Sequence, residues 1–129
     1  MSNFFSTLEE RANTLDSRLC VGIDPHPYLI EKEAGNSIRE KLVSWSMRLA
    51  QQTHMHAACF KLNIAFFEAY GSEGILAMED ILPNLHALSP VIVDAKRGDI
   101  ASTAQAYARA FFERWGCSSI TVNPYLGMK

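Results

Sequence analysis

Four short apolar runs, "RLCVGID", "AACFKLN", "SPVIVDAK" and "SSITVNP", recur at intervals of roughly 30 to 40 residues along the chain. Between them lie stretches of helical period: Ile38, Leu42, Trp45 and Leu49 after the first run, Ile75, Met78, Leu82 and Leu85 after the second. Ile100, Ala104, Ala108, Phe111 and Trp115 follow the third. Strands separated by helices are joined by crossovers rather than hairpins, so the pattern predicts an α/β fold with a parallel sheet covered by helices. Neither GxGxxG nor GxxxxGK occurs, which argues against the doubly wound nucleotide binders. That leaves a (β/α)8 barrel or part of one.

Local signals refine the elements. "STLE" at Ser6 to Glu9 reads as a capping box opening a short helix that carries Leu8, Ala12 and Leu15. Gly116 is predicted to cap the third crossover helix, and Pro83 to kink or shorten the second.

At 129 residues, 48% hydrophobic, 20% charged and with a formal net charge of -2, the chain suits a single domain with one core. It lacks the basic excess of a nucleic-acid binder. Its apolar runs fall short of the roughly 20 residues that cross a bilayer, and acids stand where a signal peptide is apolar. The expectation is a cytoplasmic protein without nucleic-acid or membrane partners. Cys20, Cys59 and Cys117 form no CxxC pair and are predicted to be buried free thiols. His26, His54, His56 and His86 are scattered, so no metal site is predicted.

The chemistry collects where the runs end. The first closes on Asp24, the second on Lys61 and Asn63, the third on Asp94 and Lys96, the fourth on Asn123. Parallel barrel strands share one C-terminal mouth, and barrel enzymes hold their active residues there. Because side chains alternate along a strand, Asp94 and Lys96 project on one face.

Each residue also has a plainer reading. Asp99 alone reads as a helix cap, Lys61 as a snorkelling surface lysine, Asp24 as turn chemistry, and Asn63 and Asn123 as loop-backbone partners. "RGD" at Arg97 to Asp99 is discounted as an adhesion signal, because no export signal accompanies it. Several unpaired ions at one mouth would cost several kcal/mol each, so the group reads as a compensated network.

"DAKRGDIAST" fits a DxKxxD pattern followed by Ile and by a Thr four residues after the last Asp. With "CVGIDP", "FKLNIAFFEAYG" and "TVNPYLG", the chain from about Leu19 to Gly127 resembles the orotidine 5'-monophosphate decarboxylases in their longer bacterial form. DxKxxD also occurs in related sugar-phosphate decarboxylases; "KLNIAFFEAYG" and "NPYLG" favour the nucleotide enzyme. The resemblance implies cofactor-free decarboxylation of orotidine 5'-monophosphate to uridine 5'-monophosphate, in pyrimidine biosynthesis. It implies a network of Lys61, Asp94, Lys96 and Asp99, with Lys96 as the ammonium that stabilises charge at C6 and then protonates it. Asp94 would lie near the departing carboxylate and hold Lys96 in place, while Lys61 and Asp24 would contact ribose hydroxyls. Asn63 and Asn123 complete the candidate substrate-binding set. Asp99 and Thr103 would reach into a partner subunit's site, which implies a homodimer.

A whole barrel of this type takes about 250 residues, so residues 1–129 read as the N-terminal half of one barrel domain. Little activity is expected of this half alone, and its open edge strands are expected to promote self-association. Two other readings are a half-barrel nucleotide-binding or interaction scaffold without turnover, and a magnesium-dependent sugar-phosphate decarboxylase.

Overall fold

The structure, a computed structural model, describes residues 3–127. Helix α1 (Phe4–Thr14) precedes strand β1 (Leu19–Ile23), and the short α2 (Pro27–Ile30) and long α3 (Ile38–Thr53) lead to β2 (Ala57–Asn63). A turn of helix, α4 (Ala65–Glu68), and α5 (Gly71–Leu88) connect to β3 (Val91–Arg97). Then α6 (Ala101–Ala108) runs into a π-helical segment, Arg109–Arg114, before β4 (Ile120–Val122) and a 3-10 turn, Pro124–Leu126. All four predicted strands are present. They pair in parallel in the order β1-β2-β3-β4.

Register explains the two faces of this sheet. Ile23 pairs with Leu62 and Leu62 with Val93; all three are buried and share a core with Leu42 and Ala50 of α3 and Met78, Ile81 and Leu85 of α5. Gly22 pairs with Lys61 and Lys61 with Ile92, so by alternation the opposite face carries the polar strand ends. Helices thus cover one face of the parallel sheet, and the polar strand ends line the other. At the start of β2, Arg11 anchors α1 by donating from Nε to the Ala57 carbonyl (3.0 Å) and from Nη2 to the His54 carbonyl (2.7 Å).

Several local expectations change. The first helix begins at Phe4, capped by Asn3, whose side chain accepts from Phe5 N. Asn caps as well as Ser, and Ser6 instead sits in the first turn, donating to the Asn3 carbonyl. A capping arrangement does occur at "SIRE": Ser37 Oγ accepts from Glu40 N, while Glu40 Oε2 accepts from Asn36 N. Pro83 does not shorten its helix, since α5 continues to Leu88. Burial of Ala77, Met78, Ile81, Leu82 and Leu85 on one side outweighs the roughly 3 kcal/mol that an interior proline costs.

Gly116 takes a left-handed φ of +63° after the π-helical segment, as a helix stop requires. The helical stripe beginning at Ile100 buries only its far end. Phe111 is fully packed and Trp115 joins it edge-to-face, but Ile100 is 66% exposed and Ala104 and Ala108 are exposed. Cys59 and Cys117 are buried free thiols, which burial pushes up to about 12 and about 11; contact with Cys20 adds to the shift at Cys59. Cys20 is exposed instead. It lies on the edge strand β1, on the face opposite the helices; Leu19 on β1 and Val122 on the other edge strand, β4, are 48% and 51% exposed.

Candidate active site

Asp94 is the centre of the site. It lies midway along β3, next to Asn63 of β2 in register, and only 11% of its side chain is exposed. Lys96, two residues on, donates from Nζ to Asp94 Oδ1 at 2.7 Å. Lys61, on the same face of β2, holds its Nζ 3.6 Å from Asp94 Oδ2. Each carboxylate oxygen therefore faces one ammonium.

A third donor comes from β4. Thr121 Oγ1 donates to Asp94 Oδ1 at 2.7 Å and accepts from the Lys96 amide at 3.0 Å. The Lys96 hydrogen bond first, and the Thr121 hydrogen bond second, hold the Asp94 carboxyl below the usual carboxylate range, against a smaller opposing effect of burial. Lys96 has φ +50°, a left-handed conformation uncommon for a side-chain-bearing residue.

Gly98 explains how β3 and β4 meet at the mouth. A Cβ there would lie 2.3 Å from the Asn123 carbonyl oxygen, closer than any side chain permits, and Asn123 N donates to the Arg97 carbonyl at 2.8 Å. The glycine of "RGD" thus serves a close backbone approach. Arg97 itself turns away, pairing with Glu68 and lying over the Tyr107 and Phe111 rings.

The remaining candidates divide by surroundings. Asp24, after β1, has a buried Oδ1 without a hydrogen-bond partner, a carboxylate oxygen left open to a donor from outside the chain. Asn63 and Asn123 accept from Ala65 N and Tyr125 N, so their side-chain oxygens hold turns. Asp99 Oδ1 accepts from Ile100 N at 2.7 Å, and among the described residues no ion pair joins it to Lys61 or Lys96. Thr103 is exposed on α6. Lys61, Asp94 and Lys96 therefore come together within this chain, with Asp24 nearby in strand order, and Asp99 and Thr103 stand outside their cluster. Thr121 escaped the sequence reading because a threonine between Ile120 and Val122 is an ordinary strand former. Its signal was parity: Thr121 is two residues before Asn123, on the face that carries the mouth.

Known proteins give this arrangement a family. Residues 17–129 match the sequence model of the orotidine 5'-phosphate decarboxylase / HUMPS family. An orotidine 5'-phosphate decarboxylase from Roseiflexus castenholzii is 40% identical over 129 residues, covering 97% of this chain and 45% of that protein. Among solved structures, Leishmania donovani OMP decarboxylase superposes with a TM-score of 0.81 at 41% identity, covering 98% of this chain and 46% of the other. Leishmania donovani UMP synthase gives a TM-score of 0.84 at 42% identity, over 98% of this chain and 26% of the other. The chain spans about half the length of the curated relatives it matches, in agreement with a sheet of four parallel strands where a barrel has eight. By sequence and by fold, this chain belongs to the orotidine 5'-phosphate decarboxylase / HUMPS family.

Proposed function

We propose that residues 1–129 are the N-terminal half of an orotidine 5'-monophosphate decarboxylase barrel and carry its charge network, with the second half supplying most of the grip on the substrate. The observation that carries this reading is the Asp94 carboxylate set between the Lys96 and Lys61 ammonium groups at the ends of two parallel strands.

In this reading the C6–carboxylate bond of the pyrimidine breaks, carbon dioxide leaves, and the bonding electron pair stays on C6. Lys96 faces that carbon, stabilises the developing charge, and passes one proton to it, giving uridine 5'-monophosphate. A fixed cation is the most valuable group available to a reaction with no electron-sink cofactor. Asp94 keeps the ammonium in place and lies beside the departing carboxylate. Lys61 and the unpartnered Asp24 oxygen take ribose hydroxyls, and Asn63 and Asn123 line the mouth. Asp99 and Thr103, outside the cluster on this chain, serve the site of a second subunit in a homodimer.

Remote contacts to phosphate and base supply much of the positioning in such a catalyst. The 129-residue chain alone is therefore expected to show little or no conversion of orotidine to uridine monophosphate. Co-expression with the C-terminal half of a relative's barrel should produce activity. Family-like turnover by the chain alone would overturn the division of labour proposed here. A completed barrel that binds uridine monophosphate but never turns over substrate would overturn the catalytic assignment in favour of a binding scaffold.

A further inference from the structure

We infer that Thr121 is a positioning residue for this chemistry: its hydroxyl ties the Asp94 carboxylate to the backbone of Lys96 and thereby sets the direction in which the ammonium points. The inference rests on reading Asp94 and Lys96 as catalytic groups, and concerns a residue on a different strand from both.

The direction of the hydrogen bonds follows from counting. A threonine hydroxyl has one proton and two lone pairs. The Lys96 amide donates to Oγ1 at 3.0 Å and occupies a lone pair. The hydroxyl proton is then directed to Asp94 Oδ1, 2.7 Å away, at a distance suited to a hydroxyl on a charged carboxylate. The chain of donors runs amide to hydroxyl to carboxylate.

Lys96 Nζ arrives at the same Oδ1, so Lys96 is tied to one carboxylate oxygen at both ends: directly through its ammonium and through Thr121 by its backbone. That closed ring accounts for the φ of +50° at Lys96, because a left-handed non-glycine residue persists only where its surroundings over-determine it. The pairing of β3 with β4 shifts register between Val93 and Arg97, and within that interval the Lys96 amide donates to the threonine side chain. With Oδ1 doubly engaged, Oδ2 is the oxygen presented to Lys61. Thr121 thus also selects which carboxylate oxygen each lysine meets. Its hydrogen bond is the second largest cause holding the Asp94 carboxyl down, consistent with the geometry.

Thr121→Val keeps the branched shape and removes both hydrogen bonds, whereas Thr121→Ser keeps both. We would titrate the Asp94 side-chain carboxyl carbon by NMR in the 129-residue chain and in the two variants, and measure exchange of the Lys96 amide. The Asp94 midpoint should rise in the Val variant and return in the Ser variant, with Lys96 amide exchange faster by roughly 10-fold in the Val variant alone. An unchanged midpoint and unchanged amide protection in a folded Val variant would overturn the inference. Should that variant fail to fold, the unaltered chain decides: the Lys96 amide and Thr121 Cβ shifts must follow the Asp94 titration, and shifts that ignore it refute the coupling. In a completed barrel, Thr121→Val should lower kcat by roughly 10-fold with KM nearly unchanged, and Ser should restore it. Coupling by NMR without turnover would leave Thr121's role standing and defeat the functional reading; lysine-dependent turnover without coupling would do the reverse.

Discussion

Lys96→Ala, tested in a barrel completed by a C-terminal half, is expected to lower kcat by at least roughly 1,000-fold. Loss of one fixed electrostatic donor costs on the order of 100- to 1,000-fold, and loss of a general acid a comparable or larger factor. Lys96 is assigned both tasks at the same carbon. Because the interaction strengthens only as charge develops, kcat and kcat/KM should fall together. Lys61→Ala should differ, raising KM as well, since Lys61 is assigned to a ribose hydroxyl in the ground state and the transition state alike. Lys96→Arg is not expected to rescue, because a planar guanidinium cannot take the place of a compact ammonium held 2.7 Å from Asp94 Oδ1. The Ala variant should also release Asp94 toward its ordinary carboxylate range, its largest stabilising contact having gone. A loss of less than tenfold in steady-state turnover would remove Lys96 from the chemistry.

Gly74→Ala is expected to destabilise the fold by about 3 kcal/mol, although Ala is the better helix former by about 1 kcal/mol. Gly74 is buried in the first turns of α5, and an added Cβ would stand 1.8 Å from the carbonyl oxygen of Phe67 on α4. The obstacle is backbone, so no side-chain rotation relieves it. Phe67 is itself fully buried, and any shift of α4 disturbs the segment that directly follows the Lys61 strand. Urea denaturation of the two proteins measures the difference. A variant as stable as the parent would mean that α4 and α5 separate without cost.

Alternation and spacing made the four strands legible, because a buried parallel strand must be a short apolar run and a crossover helix must show its own period. The clustering of the candidate site was legible for the same reason wherever its members lie on one strand: Asp94 and Lys96 are two residues apart and must share a face. Lys61 joined them through an independent strand ending at the same mouth. Harder to read were features settled between strands or between helices. The stripe from Ile100 through Ala108 has a helical period yet stays exposed, since periodicity says which residues share a face and nothing about what packs on it. Cys20 looked like a core thiol because it is apolar in an apolar run, but an edge strand leaves one of its faces open.

By itself, the sequence determined the order of elements, the end of the sheet where charge collects, and the identity of the charged residues. Tertiary structure decided that Thr121, 27 residues from Asp94, closes the ring on it, that Lys96 bends to φ +50°, and that Gly74 and Gly98 are required by approaching carbonyls. The reason is one of range. Side-chain alternation and helical period act over two to four neighbouring residues and are written locally, whereas the partner of a hydroxyl or the clearance above a glycine depends on sheet register and helix contact, which exist only once distant segments have packed.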